Sequence, residues 1–277
     1  MLNGVRVLSS SKHTRRASKV HITIVPALAL DAPYLSRLSA RSALYTELRL
    51  LLDASYESLS SEEYRAHVLE ENCLARASRA ARKKLWQELK NRYILDREHP
   101  LFAAFWREWR RCKSEPERGL TTYILLALND RLVADLGTEW LIGYLRRAPA
   151  ELRTEDVRHF IEHAGLAHPE VQAWTEHTRV AVAQKYLASI RDFGLARGRV
   201  KKVTMFPALY GAPVRLLIRA LQLVAVQPLE LLQAPVFRLL ALDERGIIDA
   251  LGELNRLGEL HFRVQGDVVE LNVDEED

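Results

Sequence analysis

Apolar positions recur three and four residues apart along most of this chain, with polar caps between the runs. The pattern predicts a succession of amphipathic helices. Leu44, Leu48, Leu51 and Leu52 follow this spacing within residues 35–54. Residues 58–61 then offer serine caps for SEEYRAHVLEEN, whose inner face is Tyr64, Val68 and Leu69. After a break at 72–77, Ser78 opens SRAARKKLWQELKNRYI. Here Leu85, Trp86, Leu89 and Tyr93 face inward, while Arg79, Lys83, Lys84, Gln87 and Asn91 face away. The pair reads as a helix-turn-helix with a basic second helix.

Residues 99–148 carry three further helical segments. HPLFAAFWREWRRCK groups Phe102, Phe105, Trp106 and Trp109, aromatics at core spacing rather than a stacking platform. GLTTYILLALNDRLVADL is apolar enough for one central buried helix, and 138–147 adds a short helix before Pro149. TEDVRHFIEHAG follows, with Val157, Phe160, Ile161 and Ala164 on one side and Gly165 as its stop.

The stretch WTEHTRVAVAQKYLASIRDFGLARGRVKK, residues 174–202, then combines two features. A Thr-capped helix places Val180, Ala183, Leu187 and Ile190 inward and Thr178, Ala181, Lys185, Ala188 and Ser189 outward, and Gly194 ends it. Beyond it, Arg197, Arg199, Lys201 and Lys202 alternate with small or apolar residues, predicting a basic hairpin. A helix followed by a basic hairpin is how a winged helix meets nucleic acid.

Past Pro207 and Pro213, residues 214–226 read as an apolar helix. Asp243 caps DERGIIDALGELNRLG, and LHFRV and VVELNV read as a hairpin around Gln265, Gly266 and Asp267. This is a second winged-helix outline. From Asp243 to the end, however, eleven acids stand against three arginines, a net of −8, and the total of +4 therefore leaves +12 on residues 1–242. Phosphate contact is expected from the first 242 residues and a protein-facing role from the acidic end. Between Arg76 and Arg97 eight Lys or Arg face two acids.

Taken together, the segments predict a mainly α chain, a helical bundle with helix-turn-helix or winged-helix subdomains and short β-hairpins as wings. The expected divisions are a flexible basic arm at 1–30, an N-terminal helix-turn-helix domain at 31–115, a central helical domain ending in a winged helix at 116–208, and an acidic winged-helix-like domain at 209–277. The two cysteines, Cys73 and Cys112, are too few for a disulfide framework and are expected to be buried thiols in a reducing cytoplasm. No uncharged run reaches the roughly 18 residues that a membrane-spanning helix requires.

Catalytic signatures are absent: there is no GxxxxGK[ST], GxGxxG or GxSxG. His159 to His163 spells H-x-x-E-H, an inverted zinc-protease string, but its histidines lie opposite Val157, Phe160 and Ile161 on an expected solvent face. The consecutive pairs Glu62–Glu63 and Glu70–Glu71 point in different directions on their helices. Neither an enzyme nor a metal or other cofactor is expected.

The segments LEENCLARASRAARKKLWQELKNRYI, TEDVRHFIEHA, WTEHTRVAVAQKYLASIRDFGL and VFRLLALDERGIIDALGELNRLGELHFRVQGDVVELNV, in this order, resemble the BrxA family of bacteriophage exclusion (BREX) systems. The resemblance rests on Trp174, Thr178, Asp192-Phe193-Gly194-Leu195 and the closing helix with its GDVVEL hairpin. It implies a small, non-enzymatic, mostly helical component of a phage-defence system, one that binds DNA and works beside other BREX proteins.

The primary expectation is therefore duplex-DNA binding through Arg79, Lys83, Lys84, Gln87, Thr178, Lys185, Arg197, Arg199, Lys201 and Lys202. The alternatives are an assembly adaptor that packs against larger defence proteins, and RNA binding.

Overall fold

The computed structural model describes residues 24–29, 31–55, 57–266 and 268–273. The basic arm expected over 1–30 lies outside the described residues as far as residue 23. Within residues 24–29, Val25 is fully buried and Arg131 donates to the Ala29 carbonyl at 2.8 Å.

The protein is mainly helical, with short antiparallel strands. The first half contains α1 (Tyr45–Asp53), α2 (Ser61–Leu69), α3 (Arg79–Tyr93), α4 (Pro100–Arg111) and α5 (Glu115–Asn129). Each of the last four starts where the sequence supplies a cap or a proline. Ser60 and Glu63 form a reciprocal capping box, Ser78 accepts from the Ala81 amide, Pro100 opens α4, and Ser114 accepts from the Glu117 amide. Tyr64, Val68 and Leu69 of α2 and Leu85, Trp86, Leu89 and Tyr93 of α3 are buried as their spacing requires.

The expected single helix over GLTTYILLALNDRLVADL is two. Asp130 takes an extended conformation (φ −140°, ψ 111°), ends α5 and caps α6 (Arg131–Asp135) by accepting from the Val133 amide. A short polar side chain that bonds the backbone ahead of it favours such a break over continued helix. A π-helical turn, Leu136–Leu141, then leads without interruption into α7 (Ile142–Leu145).

The central segment runs β1 (Glu151–Leu152), α8 (Thr154–Ala164), a 3-10 turn (Pro169–Ala173), α9 (Glu176–Asp192), β2 (Ala196–Arg197) and β3 (Lys202–Thr204). β3 lies between β1 and β2, antiparallel to both, with Leu152 opposite Lys202 and Arg197 opposite Val203. α8 packs on α9, closing a unit in which two helices stand between the first strand and the β2–β3 pair. Gly165 adopts φ −59°, so it does not use glycine's left-handed freedom; a Cβ there would stand 3.1 Å from the Glu162 carbonyl, and lack of room explains the residue.

α10 (Gly211–Leu223) begins three residues before the expected start, with Pro213 inside its first turn where no amide donor is needed. It packs on α4 and α5. Although the segment reads as apolar, it buries Arg215 and Arg219. Their Nε donors bond the fully buried carboxylate of Glu108 on α4, at 2.7 and 2.9 Å. Arg215 also pairs with Glu259. Burial opposes the Arg215 charge, but Glu108 and Glu259 outweigh it and raise the guanidinium pKa further.

The chain closes with α11 (Pro228–Leu231), a 3-10 turn (Pro235–Leu240), α12 (Glu244–Arg256) capped by Asp243, and the antiparallel pair β4 (His261–Gln265) and β5 (Val268–Asn272). Among the described residues no helix is long and apolar enough to cross a membrane. Of the two cysteines only Cys112 is buried, and burial pushes its thiol up to about 12. Cys73 is exposed, because it sits in the loop between α2 and α3 rather than on a packed helix face.

Candidate nucleic-acid interface

The ten residues singled out for binding fall into two sets on separate supports. Arg79, Lys83, Lys84 and Gln87 stand exposed on α3, which is held by α2 and α5. Thr178, Lys185, Arg197, Arg199, Lys201 and Lys202 belong to α9 and the β2–β3 pair, held by α8 and β1.

The two sets differ in how far their charges are already satisfied. In and around α3, Arg76 pairs with Glu47 at 2.7 Å, Arg79 with Glu70 at 3.2 Å, and Arg97 with Glu63 and Glu98. Arg92 is buried and donates to the carbonyls of Arg37, Arg41 and Glu88. Gln87 donates to Asn91. Much of the basic surplus between Arg76 and Arg97 is therefore spent internally. Lys83 and Lys84 remain exposed without an ion-pair partner among the described residues.

The β2–β3 turn is different. Arg197, Arg199 and Lys201 are exposed and Lys202 half-exposed, and among the described residues none of the four has an acidic partner. The Lys202 ammonium reaches only the Arg199 carbonyl, at 3.4 Å. Val200 at the tip is 94% exposed. Gly198 makes the turn possible: its φ is +94°, and a Cβ on it would stand 2.0 Å from the Lys201 carbonyl oxygen.

α9 is rotated relative to the face its spacing suggested. Val182, Ala183, Tyr186, Leu187, Ser189 and Ile190 are its buried residues, while Val180 is only half-buried. Ser189, expected outward, is 1% exposed and donates to the Lys185 carbonyl at 2.7 Å. The row turned furthest from the core is His177, Ala181, Gln184 and Ala188, of which His177 and Gln184 are exposed and Ala181 and Ala188 half-buried; the spacing points to Ala181 and Ala188 but not to His177 and Gln184. Thr178 and Lys185 lie beside this row, both half-buried. Thr178 is engaged in the cap: its amide donates to the Thr175 hydroxyl at 3.1 Å and the two hydroxyls meet at 2.9 Å. Glu176, the acid in this first turn, lies 3.7 Å from Arg158 and 3.8 Å from Arg179.

The H-x-x-E-H string on α8 is not arranged as a metal centre. Glu162 pairs with Arg158, and Arg158 also donates to the His159 ring at 3.0 Å. Among the described residues no cluster of three His, Cys, Asp or Glu could hold a metal ion.

The acidic end presents a contrasting surface. Leu209, Leu242, Ile248, Gly252 and Phe262 line an open groove of about 850 Å³, with Asp249, Glu253 and Arg256 among its polar lining residues. Leu209 is 45% and Ile248 39% exposed. Gly252 lies inside α12, yet a Cβ on it would meet nothing within 4 Å.

Comparison with known proteins gives the fold and the family. A crystal structure of an uncharacterized protein from Magnetospirillum magneticum is similar, with a TM-score of 0.55 at 15% identity, over 75% of this chain and 97% of that one. At this identity the likeness concerns the fold alone. None of the curated proteins matches the chain significantly. The BrxA family profile matches residues 32–220, from the N-terminal helices through the basic β2–β3 turn and most of α10. With well over half of its length so matched, the chain belongs to the BrxA family and is a component of a BREX phage-defence system.

Proposed function

We propose that this chain is the duplex-DNA-binding component of its defence system and that it acts by binding rather than by catalysis. The observation that carries the reading is the set of four cations at 197–202, none with an acidic partner among the described residues and all carried by the β2–β3 hairpin that follows α9. The order β1, α8, α9, β2, β3, with β3 central, supports a winged helix, in which α9 is the recognition helix and the β2–β3 turn the wing. In this reading α2 and α3 form an accessory helix-turn-helix that places Lys83 and Lys84 on phosphates.

The test is binding of a labelled mixed-sequence duplex by the full chain. Lys201→Glu with Lys202→Glu is expected to weaken binding at least tenfold while the circular dichroism spectrum stays that of wild type. Unchanged affinity would refute the assignment of this turn. Equal or tighter binding of an RNA duplex would favour the RNA reading instead.

A second reading concerns the acidic end. The groove around Ile248 and Gly252 and the −8 charge beyond residue 242 support a protein-facing role, with another BREX protein carrying a basic, partly apolar segment as partner. The two roles are compatible, because they use different modules.

A further inference from the structure

We infer that Gln184 is a base-reading residue and that it selects an adenine in the major groove. This inference rests on the winged-helix reading above.

Gln184 is exposed on the outward row of α9, and its carboxamide has no hydrogen-bond partner among the described residues. An outward amide elsewhere behaves differently: Gln87 on α3 is taken up by Asn91 at 2.8 Å. The residues one turn before and after Gln184 on its row are Ala181 and Ala188, so no longer side chain keeps the amide from a surface against which the helix lies. Val180, half-buried beside the row, adds an apolar edge.

The row itself carries no Lys, Arg, Asp or Glu, and cations are supplied around it. Lys185 flanks the row, and Arg197, Arg199, Lys201 and Lys202 follow the helix on the hairpin. The one acid of the first turn, Glu176, lies within ion-pair distance of Arg158 and Arg179. Phosphate contacts position a protein on the duplex but carry no sequence information, whereas uncharged side chains at base edges do. A glutamine carboxamide both donates and accepts, matching the N7 acceptor and N6 donor that adenine presents in the major groove.

One good bidentate pair of this kind gives about 5- to 150-fold discrimination against a wrong base. The chemistry also predicts how substitution changes the preference. Arginine at the same place would pair with guanine O6 and N7, and alanine would read nothing.

The experiment is selection from a randomised duplex library by the full chain, compared with Gln184→Ala and Gln184→Arg, each verified as folded by circular dichroism. Wild type is expected to enrich adenine at one position. Gln184→Ala should lose enrichment at that position. Gln184→Arg should enrich guanine there. Wild-type binding with no base preference, or adenine enrichment that survives in Gln184→Ala, would overturn the inference and leave the DNA-binding reading intact. Absence of duplex binding by wild type would overturn both.

Discussion

Gly198 and Lys201 approach so closely that the β2–β3 turn cannot accept a side chain at residue 198: a Cβ there would overlap the Lys201 carbonyl oxygen at 2.0 Å. The backbone is also in the left-handed region, at φ +94°, which costs an L side chain about 1 kcal/mol or more. Gly198→Ala is therefore expected to open the turn and disperse the cations around it. Duplex affinity should fall severalfold, and the melting temperature by only a few degrees, because the tip is exposed. Binding and thermal melts on the same preparation check this.

The charge reversals should differ in size. Lys83→Glu with Lys84→Glu is expected to weaken duplex binding less than Lys201→Glu with Lys202→Glu. The α3 pair stands among arginines already committed to Glu47, Glu63 and Glu70, whereas none of the four hairpin cations has an acidic partner among the described residues. Equal effects from both doubles would make α3 a full partner in the interface.

Some of this was readable in the chain and some was not. Ser60, Ser78, Thr175 and Asp243 announce their helices because a cap is a local hydrogen bond, three residues long. The phase of α9 was harder to read. Val180 looks like core by hydrophobicity, while Tyr186 and Ser189, which are fully enclosed, look amphipathic or polar; their burial depends on what packs above them. Gln184 was missed for the same reason. Arg215 and Arg219 gave no sign of burial, because their partner Glu108 lies more than a hundred residues away. The separation of satisfied from unsatisfied cations likewise depends on acids such as Glu47, distant in sequence from Arg76.

Glu108 ties α10 to α4, and Arg215 extends the network to Glu259 of the acidic end. Glu108→Ala leaves two buried guanidinium groups short of a partner and is expected to cost about 3–5 kcal/mol. Replacing Glu108, Arg215 and Arg219 together with leucine or methionine should recover most of that loss, since a buried ion network is often no more stable than a packed apolar one. Denaturant unfolding of the two variants distinguishes a structural network from any other role.

Burial raises the Asp130 carboxyl pKa from 3.8 to about 6. Its folded-state pKa lies above the unfolded one, so the folded state holds the proton more tightly. The contribution of Asp130 is thus most favourable below about pH 4, declines as pH rises toward 6, and is an unfavourable one at neutral pH. Asp130→Asn, which keeps a capping oxygen, should raise stability at pH 7 by about 1–2 kcal/mol and flatten this part of the pH profile. A loss of stability at pH 7 would mean that the charge is held by Arg37 and Arg92 more strongly than burial opposes it.

Gly252 tests the partner-facing role of the acidic end. Because a Cβ there meets nothing, Gly252→Ala should stabilise α12 by about 0.5–1 kcal/mol. Gly252→Trp should fill the groove and abolish co-purification with the other BREX proteins while duplex binding is retained. Full co-purification of the tryptophan variant would place the partner surface elsewhere.

The most direct test of the central claim is the salt dependence of duplex binding by the full chain. The logarithm of the binding constant should fall linearly with the logarithm of salt concentration, and the slope for Lys201→Gln with Lys202→Gln should be shallower by about 1.8, the loss of two phosphate contacts at roughly 0.9 each. A slope near zero for the wild-type chain, or one unchanged in the double variant, would contradict the assignment of this hairpin to DNA.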